Sequence, residues 1–385
     1  METTAYKLGE VLVNFDYLRK PLSSLERANF QGEYPYYGAQ GIIDHVREYR
    51  CDGEYMLIAE DGENLSSRKE PIAQIARGKF WVNNHAHIVR TNEKADLYYI
   101  LYLLNNSDIS GYITGAAQPK LSQKSLNRIK ISLPSLPIQR RIASILSSYD
   151  NLIELNTRRI KLLEQMAENL YKEWFVRFRF PNYQNTPIEN GIPKGWRKGQ
   201  LGEIVNFLNG FAFKSETFVD CSPYKVVTIK NVQDGKFDGI NVDYIEEVPK
   251  RMPQYCNLLQ GDILLSLTGN VGRVCIVLGS NYLLNQRVAK LTSDHPHFTY
   301  CLFRTDTIFN TLNSIAYGTA QLNLSPIKAA RLKMLIPPVE LRNLFDKQVA
   351  FLFTEIATLQ TQSANLSRQR DLLLPRLMSG QLPTQ

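Results

Sequence analysis

The chain has 385 residues, of which 44% are hydrophobic and 21% are charged, and its formal net charge is +8. This length allows two sizeable cores, and this composition is typical of a soluble globular protein rather than a disordered or membrane-spanning one. No apolar run approaches the roughly 18 residues that a membrane helix needs, and residues 1–10 lack a signal-peptide pattern. The five cysteines are odd in number and lack CxxC spacing, which argues against a disulfide framework and favours a reducing, cytoplasmic location.

The positive charge suggests an acidic partner, and nucleic acid is the leading candidate. The charge is unevenly distributed, since residues 1–136 carry 16 basic and 16 acidic side chains whereas residues 181–338 carry 16 and 12. A nucleic-acid contact in the first segment must therefore come from a local patch.

Residues 1–136 alternate short apolar runs with glycine-rich turns. Strands are predicted at residues 55–59 and 72–76, and one helix around residues 97–104. This mixture predicts an α+β domain. Pro134 and Pro137 close it and prepare the start of a helix, because proline is tolerated only in a first turn.

Residues 137–178 are predicted to form a long central spacer helix. From Ile138 to Trp174, apolar or small residues recur every three or four positions, which is typical of a helix that packs on another helix. About 36 such residues would span roughly 54 Å. Asn156 lies on this seam, where a polar residue can fix the register of the pair; the alternative is an exposed position at a local irregularity.

The second half of the chain repeats this plan. Residues 179–200, rich in Pro, Asn and Gly, are predicted to be a connector and the start of a second repeat, followed by a second α+β domain at residues 201–338. Residues 339–380 are predicted to form a C-terminal spacer helix with a weaker apolar seam. Pro375 is expected to kink this helix or to end it early, and Gly380 to stop it.

An internal duplication supports this plan. Gly115-Ala116-Ala117-Gln118 returns as Gly318-Thr319-Ala320-Gln321, and the residues that follow it also recur: Leu121-Ser122, Arg128, Lys130 and Pro134 return as Leu324-Ser325, Arg331, Lys333 and Pro337. Eight of these twenty positions are identical, whereas unrelated segments of this length would share on the order of one. The repeat predicts two domains of the same kind, related by pseudo-twofold symmetry, each followed by a long helix.

Motifs of common enzymes do not occur in the chain. It has no GxxxxGK[ST], [ND]PP[YF], HExxH, GxSxG or GxGxxG sequence, so catalysis by this chain alone is not expected. His85-Ala86-His87 and His295-Pro296-His297 each pair two imidazoles, which is compatible with zinc or with a nucleic-acid surface. No third ligand is identifiable, and no metal site is predicted.

Several short motifs occur in the same order in both halves. The first half has YPYYGA at residues 34–39, LIAEDG at 57–62 and GKFWVNNHAH at 78–87, and the second half has GFAFKS at 210–215, GDIL at 261–264 and LNQRV at 284–288. Each set is followed by the Gly-x-x-Gln-x-x-Leu-Ser segment, a proline and a long helix. In this order the motifs resemble those of the specificity subunits of Type I restriction-modification systems over nearly the whole chain.

The resemblance implies two target-recognition domains held apart by two long antiparallel helices, each domain reading one half-site of a bipartite duplex DNA target. The helices would dock two modification (methyltransferase) subunits that methylate adenine, and further restriction and translocase subunits would join them. S-adenosylmethionine, ATP and Mg²⁺ would be bound at those subunits, and no cofactor by this chain. Ile138-Gln139 and Glu340-Leu341 depart from the usual acidic residue and glutamine after the proline.

Another class of function stays open from the residues alone. The duplicated domains could belong to a non-catalytic scaffold that binds protein or single-stranded nucleic acid, with helices that merely dimerise. Selectivity for duplex DNA would separate the two possibilities.

Candidate DNA-binding residues are polar or basic side chains next to predicted turns, because base edges and phosphates require such donors and acceptors. They are Tyr37, Arg68, Lys69, Lys79, Asn83, Asn84, His85, Lys120, Lys214, Lys230, Asn231, Thr268, Asn270, Arg273, Asn285, Gln286, Arg287 and Asn323. Gln118 and Gln321, at the domain-helix junction, are expected to bond to the backbone in preference to reading bases. Trp81 and Trp196 are expected in the core. Tyr171, Trp174 and Phe175 are expected to form a partner interface, since they offer more aromatic surface than one seam requires.

Overall fold

A computed structural model describes residues 2–68, 70–115, 118–318 and 321–382. The chain forms two compact α+β units: unit 1 comprises Met1–Ile153 and Leu366–Gln385, and unit 2 comprises Glu154–Asn365. Among the helices in the described residues, none is both long and apolar enough to cross a membrane.

Unit 1 is built on a six-stranded sheet with the order β2-β7-β5-β6-β3-β4, and β1 pairs separately with β8. Its strands are β1 (Thr4–Lys7), β2 (Leu12–Asn14), β3 (Gln31–Gly38), β4 (Gly41–Val46), β5 (Cys51–Ala59), β6 (Ala73–Val82), β7 (Ala86–Thr91) and β8 (Lys130–Leu133). Its helices are α1 (Ser24–Asn29), α2 (Asn64–Ser67), α3 (Leu97–Asn106), α4 (Gln123–Arg128) and the first part of α5 (Leu136–Tyr171).

The central strand β5 and helix α3 supply much of the core of unit 1. The last five residues of β5 are buried without interruption, and the strand pairs antiparallel with β6 on one side and β7 on the other. Helix α3 starts at Asp96, whose carboxylate accepts hydrogen bonds from the main-chain N–H groups of Tyr98 and Tyr99, as a helix N-cap requires. The predicted strands and helix in this region are confirmed.

Unit 2 contains a four-stranded sheet with the order β12-β20-β17-β18, a five-stranded sheet with the order β13-β15-β14-β19-β16, and the pairs β9-β10 and β11-β21. The strands are β9 (Ile188–Glu189), β10 (Ile192–Pro193), β11 (Arg197–Gln200), β12 (Asn206–Asn209), β13 (Phe218–Val219), β14 (Tyr224–Val227), β15 (Asp243–Ile245), β16 (Asn257–Leu258), β17 (Ile263–Ser266), β18 (Val274–Ile276), β19 (Tyr282–Leu284), β20 (Val288–Thr292) and β21 (Lys333–Ile336). The helices are α6 (Pro296–Phe303), α7 (Asp306–Ile315), α8 (Pro326–Ala330) and α9 (Val339–Met378), whose residues from Leu366 belong to unit 1.

A second repeated segment, which the sequence analysis did not use, lies at the start of each unit. The sequence Leu-Gly-Glu forms a short turn after the first strand of the β1-β8 pair and of the β11-β21 pair, at residues 8–10 and 201–203. A Cβ atom on the middle glycine would lie 2.8 Å from Asn127 in unit 1 and 2.9 Å from Ala330 in unit 2. Both units therefore need glycine for the same close approach to the helix before the last strand.

Within unit 2, α5 and α9 run antiparallel to each other. Asn156 Nδ2 donates a hydrogen bond to Ser363 Oγ (3.3 Å), and Arg159 forms an ion pair with Glu355 at 2.8 Å, so the partner number falls as the residue number rises. Asn156 is only 6% exposed. The alternative of an exposed Asn156 is therefore wrong, and its partner is a serine on the facing helix.

Within unit 1, the end of α9 packs beside the start of α5. Arg370 forms an ion pair with Asp150 at 2.5 Å, and Leu377 shares a buried cluster with Ile142. The helix continues through Pro375 to Met378, so the expectation of an early end is wrong. It stops at Gly380, which has a φ of +76°.

The aromatic residues expected to face a partner lie in the core of unit 2. Tyr171, Trp174 and Phe175 are 4%, 7% and 8% exposed, and all three rings contact Phe345 of α9. Trp196 of the connector lies against Phe175 and is itself buried, as expected for this tryptophan. The partner interface predicted there must be corrected, because the connector and α9 bury the aromatic surface that the sequence pattern left unassigned.

Candidate nucleic-acid interface

In unit 1, main-chain bonds gather three separate segments where β5 ends. The N–H group of Glu60 donates to the carbonyl oxygen of His85 (2.9 Å), and the carbonyl oxygen of Glu60 accepts from the N–H group of Leu121 (2.7 Å). Asp61 forms an isolated β-bridge with Lys120. These bonds hold residues 83–85, which follow β6, and the repeated segment near Lys120 beside the end of β5.

Asn83 fixes the shape of the turn that carries Asn84 and His85. Its N–H group donates to the carbonyl oxygen of Tyr37 (3.0 Å), and its Oδ1 accepts from the N–H group of His85 (2.8 Å). Asn83 is 5% exposed, whereas the next two side chains face solvent. Asn83 is a positioning residue, and Asn84 and His85 are the available side chains of this turn.

The cations of this cluster in unit 1 are paired with carboxylates. His85 Nδ1 lies 2.7 Å from Asp61, and Glu60 accepts from Arg19 at 2.5 Å and lies 3.3 Å from Lys120. Burial opposes ionisation of Glu60, but the hydrogen bond from Arg19 and the nearby cations lower its pKa below the usual range. Glu60 therefore stays ionised and neutralises the cations around it.

The two imidazoles of His85-Ala86-His87 bond to different groups. His87 is buried, with Nδ1 2.7 Å from Asp16 and Nε2 2.9 Å from the carbonyl oxygen of Leu121, whereas His85 faces Asp61 at the surface. The rings do not converge on a shared ligand. His87 holds the repeated segment against β7.

Unit 2 forms the same main-chain arrangement. The N–H group of Leu267 donates to the carbonyl oxygen of Arg287 (3.0 Å), and the carbonyl oxygen of Leu267 accepts from Leu324 (2.7 Å). Asn285 donates to the carbonyl oxygen of Val227 (3.1 Å) and accepts from the N–H group of Arg287 (3.2 Å). Leu267, Asn285, Gln286 and Arg287 therefore correspond to Glu60, Asn83, Asn84 and His85.

The side chains at these matching places differ in charge. Asp61 corresponds to Thr268, whose Oγ1 lies 3.4 Å from Asn323 Oδ1, and Asn323 in turn corresponds to Lys120. Arg287 and Gln286 are exposed. Within the described residues, the guanidinium group of Arg287 has no ion pair. We call these two arrangements the unit 1 strand-end cluster (Glu60, Asp61, Asn83, Asn84, His85 and Lys120) and the unit 2 strand-end cluster (Leu267, Thr268, Asn285, Gln286, Arg287 and Asn323).

The residues that flank the duplicated Gly-x-x-Gln segment are joined in the same way in both units; the two middle residues of each copy, Ala116-Ala117 and Thr319-Ala320, lie outside the described residues. In unit 1, Thr114 and Lys120 exchange two main-chain hydrogen bonds of 2.9 and 2.7 Å. In unit 2, Tyr317 and Asn323 exchange two of 3.0 and 2.8 Å. The duplicated sequence therefore corresponds to a duplicated loop that ends at a strand-end cluster.

Glycine is the residue that this loop requires. Gly115 and Gly318 have φ values of +89° and +121°, and an added Cβ atom would lie 2.3 Å from the carbonyl oxygen of Gln118 and 2.2 Å from that of Gln321. Both glutamine side chains are exposed, and neither makes a hydrogen bond within the described residues. The expected bond from these two side chains to the backbone is therefore not formed within the described residues, and the close approach in each copy depends on the glycine.

Two candidate residues serve the fold instead of facing a ligand, which corrects their assignment as DNA contacts. Arg68 Nη2 donates to the carbonyl oxygens of Leu104 and Asn105 in the last turn of α3 and of Ser107 just after it, and so caps that helix end. Asn231 is fully buried, and its Nδ2 donates to the carbonyl oxygens of Asp238 (2.9 Å) and Asn241 (2.8 Å). Neither side chain has a free group to offer DNA in this conformation, apart from one buried Nη1 of Arg68.

The remaining candidates are placed outside the strand-end clusters or beside them. Several already contact other groups of the protein. Lys214 and Lys230 form ion pairs with Glu216 and Asp243, and Arg273 donates a hydrogen bond to Gln233. Lys79 lies over the ring of Tyr49, and the half-buried Tyr37 packs on Phe80. Asn270 is exposed next to Gly269, whose N–H group donates to Leu322 of the duplicated loop. Lys69 lies outside the described residues.

The sequence analysis missed two members of the unit 1 strand-end cluster, Glu60 and Asp61, and also missed Arg19, which pairs with Glu60. Glu60 and Asp61 belong to the LIAEDG motif, so a charged pair directly after a buried strand was the available signal. Arg19 has no comparable signal, because it reaches Glu60 from a segment 41 residues away.

A cavity of about 590 Å³ lies in unit 2 beside Glu164, Tyr300 and Phe353. Burial raises the pKa of Glu164 to about 7, although Arg304 nearby acts in the opposite direction. Arg304 is itself occupied by ion pairs with Glu168 and Asp234. A carboxyl group that is about half protonated at neutral pH therefore lines this cavity.

The chain therefore consists of two mixed sheet-and-helix units, and each carries a strand-end cluster built on matching main-chain hydrogen bonds. The family model of the Type I restriction modification DNA specificity domain matches the chain twice, at residues 2–165 and 193–362. The chain belongs to this family.

Relatives and a solved structure agree with this assignment. The chain is 30% identical over 295 residues to a putative type I restriction enzyme specificity subunit of Haemophilus influenzae, covering 74% of this chain and 71% of that protein. It is 29% identical to the MjaIX type I restriction enzyme specificity subunit of Methanocaldococcus jannaschii, covering 92% and 84%. The crystal structure of a Type I restriction-modification S subunit from M. genitalium has the same fold, with a TM-score of 0.58 at 14% identity over 98% of this chain and 96% of that one.

Proposed function

We propose that the chain is the non-catalytic specificity subunit of a Type I restriction-modification complex. It binds duplex DNA sequence-specifically, reads one half-site with each unit, and directs partner methyltransferase and restriction subunits to the bipartite target. The observation that carries this proposal is the strand-end cluster, which is built twice on the same main-chain bonds. A bipartite target is what two readers of one kind require.

The chemistry of the clusters suits DNA. Each cluster presents exposed amide and basic side chains on a turn whose main chain is held by hydrogen bonds, namely Asn84 and His85 in unit 1 and Gln286 and Arg287 in unit 2. Amides can pair with adenine, and arginine with guanine or with phosphate. A rigid turn limits the entropy that is lost when such side chains bind.

Helices α5 and α9 are proposed to be the spacer that sets the distance between the half-sites. They have 36 and 40 residues, and 36 residues at about 1.5 Å each give roughly 54 Å. The inward-facing Asn156 and Ser363 would help to fix the register of this pair.

Partner subunits are proposed to dock on the outer face of α5. Leu155, Leu162 and Met166 are 51%, 59% and 55% exposed, and their spacing of seven and four places them on one face of the helix. This stripe takes the place of the buried Tyr171, Trp174 and Phe175 as the proposed interface. S-adenosylmethionine, ATP and Mg²⁺ would be bound by the partner subunits.

The test is selection from a random pool of duplexes by the full-length chain together with its modification subunit. We expect a split consensus with a fixed gap. A variant with seven residues inserted into α5 and seven at the facing position of α9 should keep both half-sites and lengthen the gap by about 10 Å, or roughly three base pairs.

Two results would contradict the proposal. Selection of single strands, or no selection from duplexes, would support the scaffold alternative. An unchanged gap in the insertion variant would show that the two helices do not measure the distance.

A further inference from the structure

The two strand-end clusters occupy matching places but carry different charges. We infer that unit 2 holds the DNA backbone through Arg287, whereas the cations of unit 1 are neutralised by their own carboxylates, so the two half-sites are bound with unequal electrostatic strength. This inference rests on the proposed function and names the contact that supplies the salt-dependent part of binding.

The matching of the two places follows from main-chain bonds. Arg287 and His85 each offer a carbonyl oxygen to the residue that follows the central strand of their unit, and each donates its N–H group to the Oδ1 atom of an asparagine two residues earlier. The side chains therefore leave equivalent points of equivalent turns. Phosphate groups occur along the whole duplex, so both half-sites can offer a phosphate at the same place relative to each unit.

The neighbours of the two side chains differ. His85 Nδ1 lies 2.7 Å from Asp61, and Lys120, the exposed cation of the same cluster, lies 3.3 Å from Glu60. In unit 2 these two carboxylate positions are Thr268 and Leu267, which are uncharged. Among the described residues, Arg287 therefore has no carboxylate partner to give up when it meets a phosphate.

The physical consequence concerns counterions. A free guanidinium group that contacts a phosphate releases condensed cations from DNA, which lowers the logarithm of the binding constant by about 0.9 per contact for each tenfold rise in salt. A cation already paired with a carboxylate must first leave that partner, and the carboxylate then repels the phosphate. Unit 1 should therefore contribute less salt dependence than unit 2.

The first test measures binding of the full-length chain, with its modification subunit, to one selected duplex between 50 and 200 mM salt. Arg287→Ala should reduce the salt slope by about 0.9, so that over this range it loses about 3.5-fold less affinity than the parent protein. His85→Ala should leave the slope unchanged. Arg251→Ala, which removes an exposed arginine of unit 2 that lies outside both clusters and has no ion pair among the described residues, is the matched control.

The second test exchanges the carboxylate between the units. Thr268→Asp installs beside Arg287 the acid that unit 1 has at this place and should lower the slope as Arg287→Ala does. Asp61→Thr removes a negative charge from the unit 1 cluster, which raises the net positive charge that faces phosphate, and should steepen the slope. Circular dichroism of each variant verifies that the fold is intact.

The outcomes separate this inference from the proposed function. Loss of all duplex selectivity in the parent protein would overturn the proposed function itself. Normal selection, but equal slopes for Arg287→Ala and His85→Ala, would overturn only the unequal contact. A changed base preference in Arg287→Ala, with an unchanged slope, would show that Arg287 reads a base and would also overturn it.

Discussion

The strand-end clusters of unit 1 and unit 2 share a main chain and differ in side-chain chemistry. Both hold an asparagine turn and a duplicated glycine loop beside a central strand, with hydrogen bonds of nearly the same lengths. Glu60, Asp61 and Lys120 of unit 1 correspond to the uncharged Leu267, Thr268 and Asn323 of unit 2. The main-chain geometry is the same in both units, whereas the charges of the side chains on it differ.

This difference separates the residues that the fold requires from those that can change without loss of stability. The glycine, the asparagine and the buried strand are held by contacts that fail if the residue changes, since the added atoms would clash or a buried polar group would lose its partner. The exposed side chains on the same turns have few such contacts. The exposed side chains of Asn84, His85, Gln286 and Arg287 can therefore change while the scaffold stays the same.

The largest expected effect tests whether the scaffold is equally essential in both units. Phe345 in unit 2 and Ile142 in unit 1 lie 203 positions apart, and both are fully buried. Phe345→Ala should lower the free energy of unfolding by about 3–5 kcal/mol and Ile142→Ala by about 2–5 kcal/mol, because each leaves a cavity. Urea denaturation measures both. Phe351→Ala is the control, because Phe351 lies on the same helix as Phe345 and is 63% exposed. Losses below about 1 kcal/mol at Phe345 and Ile142 would contradict their burial in the cores of the two units.

A smaller effect is expected at the duplicated loop. Gly115→Ala and Gly318→Ala should each cost about 2–3 kcal/mol, and by similar amounts, because alanine is strained at a positive φ and its Cβ atom would meet a carbonyl oxygen. Thermal unfolding gives the comparison. Gly111→Ala serves as the control, since its added Cβ atom would meet open space. A cost in one unit only would show that the two loops are not equivalent.

The smallest effect contrasts two carboxyl groups with opposite shifts of pKa. The pKa of Glu164 in unit 2 is raised to about 7, so folding keeps a proton that the unfolded chain loses above its usual pKa of 4.5, and stability falls as pH rises between these values. Glu164→Gln removes this penalty. The full shift would correspond to about 3 kcal/mol, but Glu164 is partly exposed and solvent screens it, so the variant should be more stable than the parent protein by about 1 kcal/mol at pH 8, with the gain vanishing near pH 4.5.

Glu60 in unit 1 should behave in the opposite way. Its pKa is lowered, so it stabilises the fold above its usual pKa, and this contribution is lost as pH falls through the folded value. Glu60→Gln should therefore be less stable than the parent protein at neutral pH, and the difference should shrink in acid. Unfolding midpoints between pH 4 and 8.5 measure both variants, with the exposed Glu189→Gln as the control. Parallel pH profiles for the Glu60 and Glu164 variants would contradict the assigned shifts.

Features with a local or periodic signal could be predicted from the sequence. The duplicated Gly-x-x-Gln segment, the helix beginning at Leu97, and the burial of Trp81 and Trp196 agree with the structure. Each depends on a spacing or a residue type that is visible within a few turns or strands of chain. The repeated Leu-Gly-Glu turn was equally visible, but it is too short to stand out without the glycine contacts that explain it.

The site was harder to predict because burial and pairing are set by distant residues. Arg68 and Asn231 have the polarity and turn position of DNA contacts, yet carbonyl groups elsewhere in their units occupy them. The aromatic end of α5 suggested an open surface, but Phe345 and Trp196 cover it.

The sequence by itself determined the duplication, the α+β character of its halves and the two long helices, because repeats and hydrophobic periods are properties of the chain alone. Only the tertiary structure decided which polar side chains are free. Asp61 and Thr268 follow comparable strands. Only the folded chain shows that Asp61 faces His85, and that Thr268 comes directly after Leu267, whose N–H group bonds to the carbonyl oxygen of Arg287. Whether a charge is available depends on the groups that folding places next to it, and these are far away in sequence.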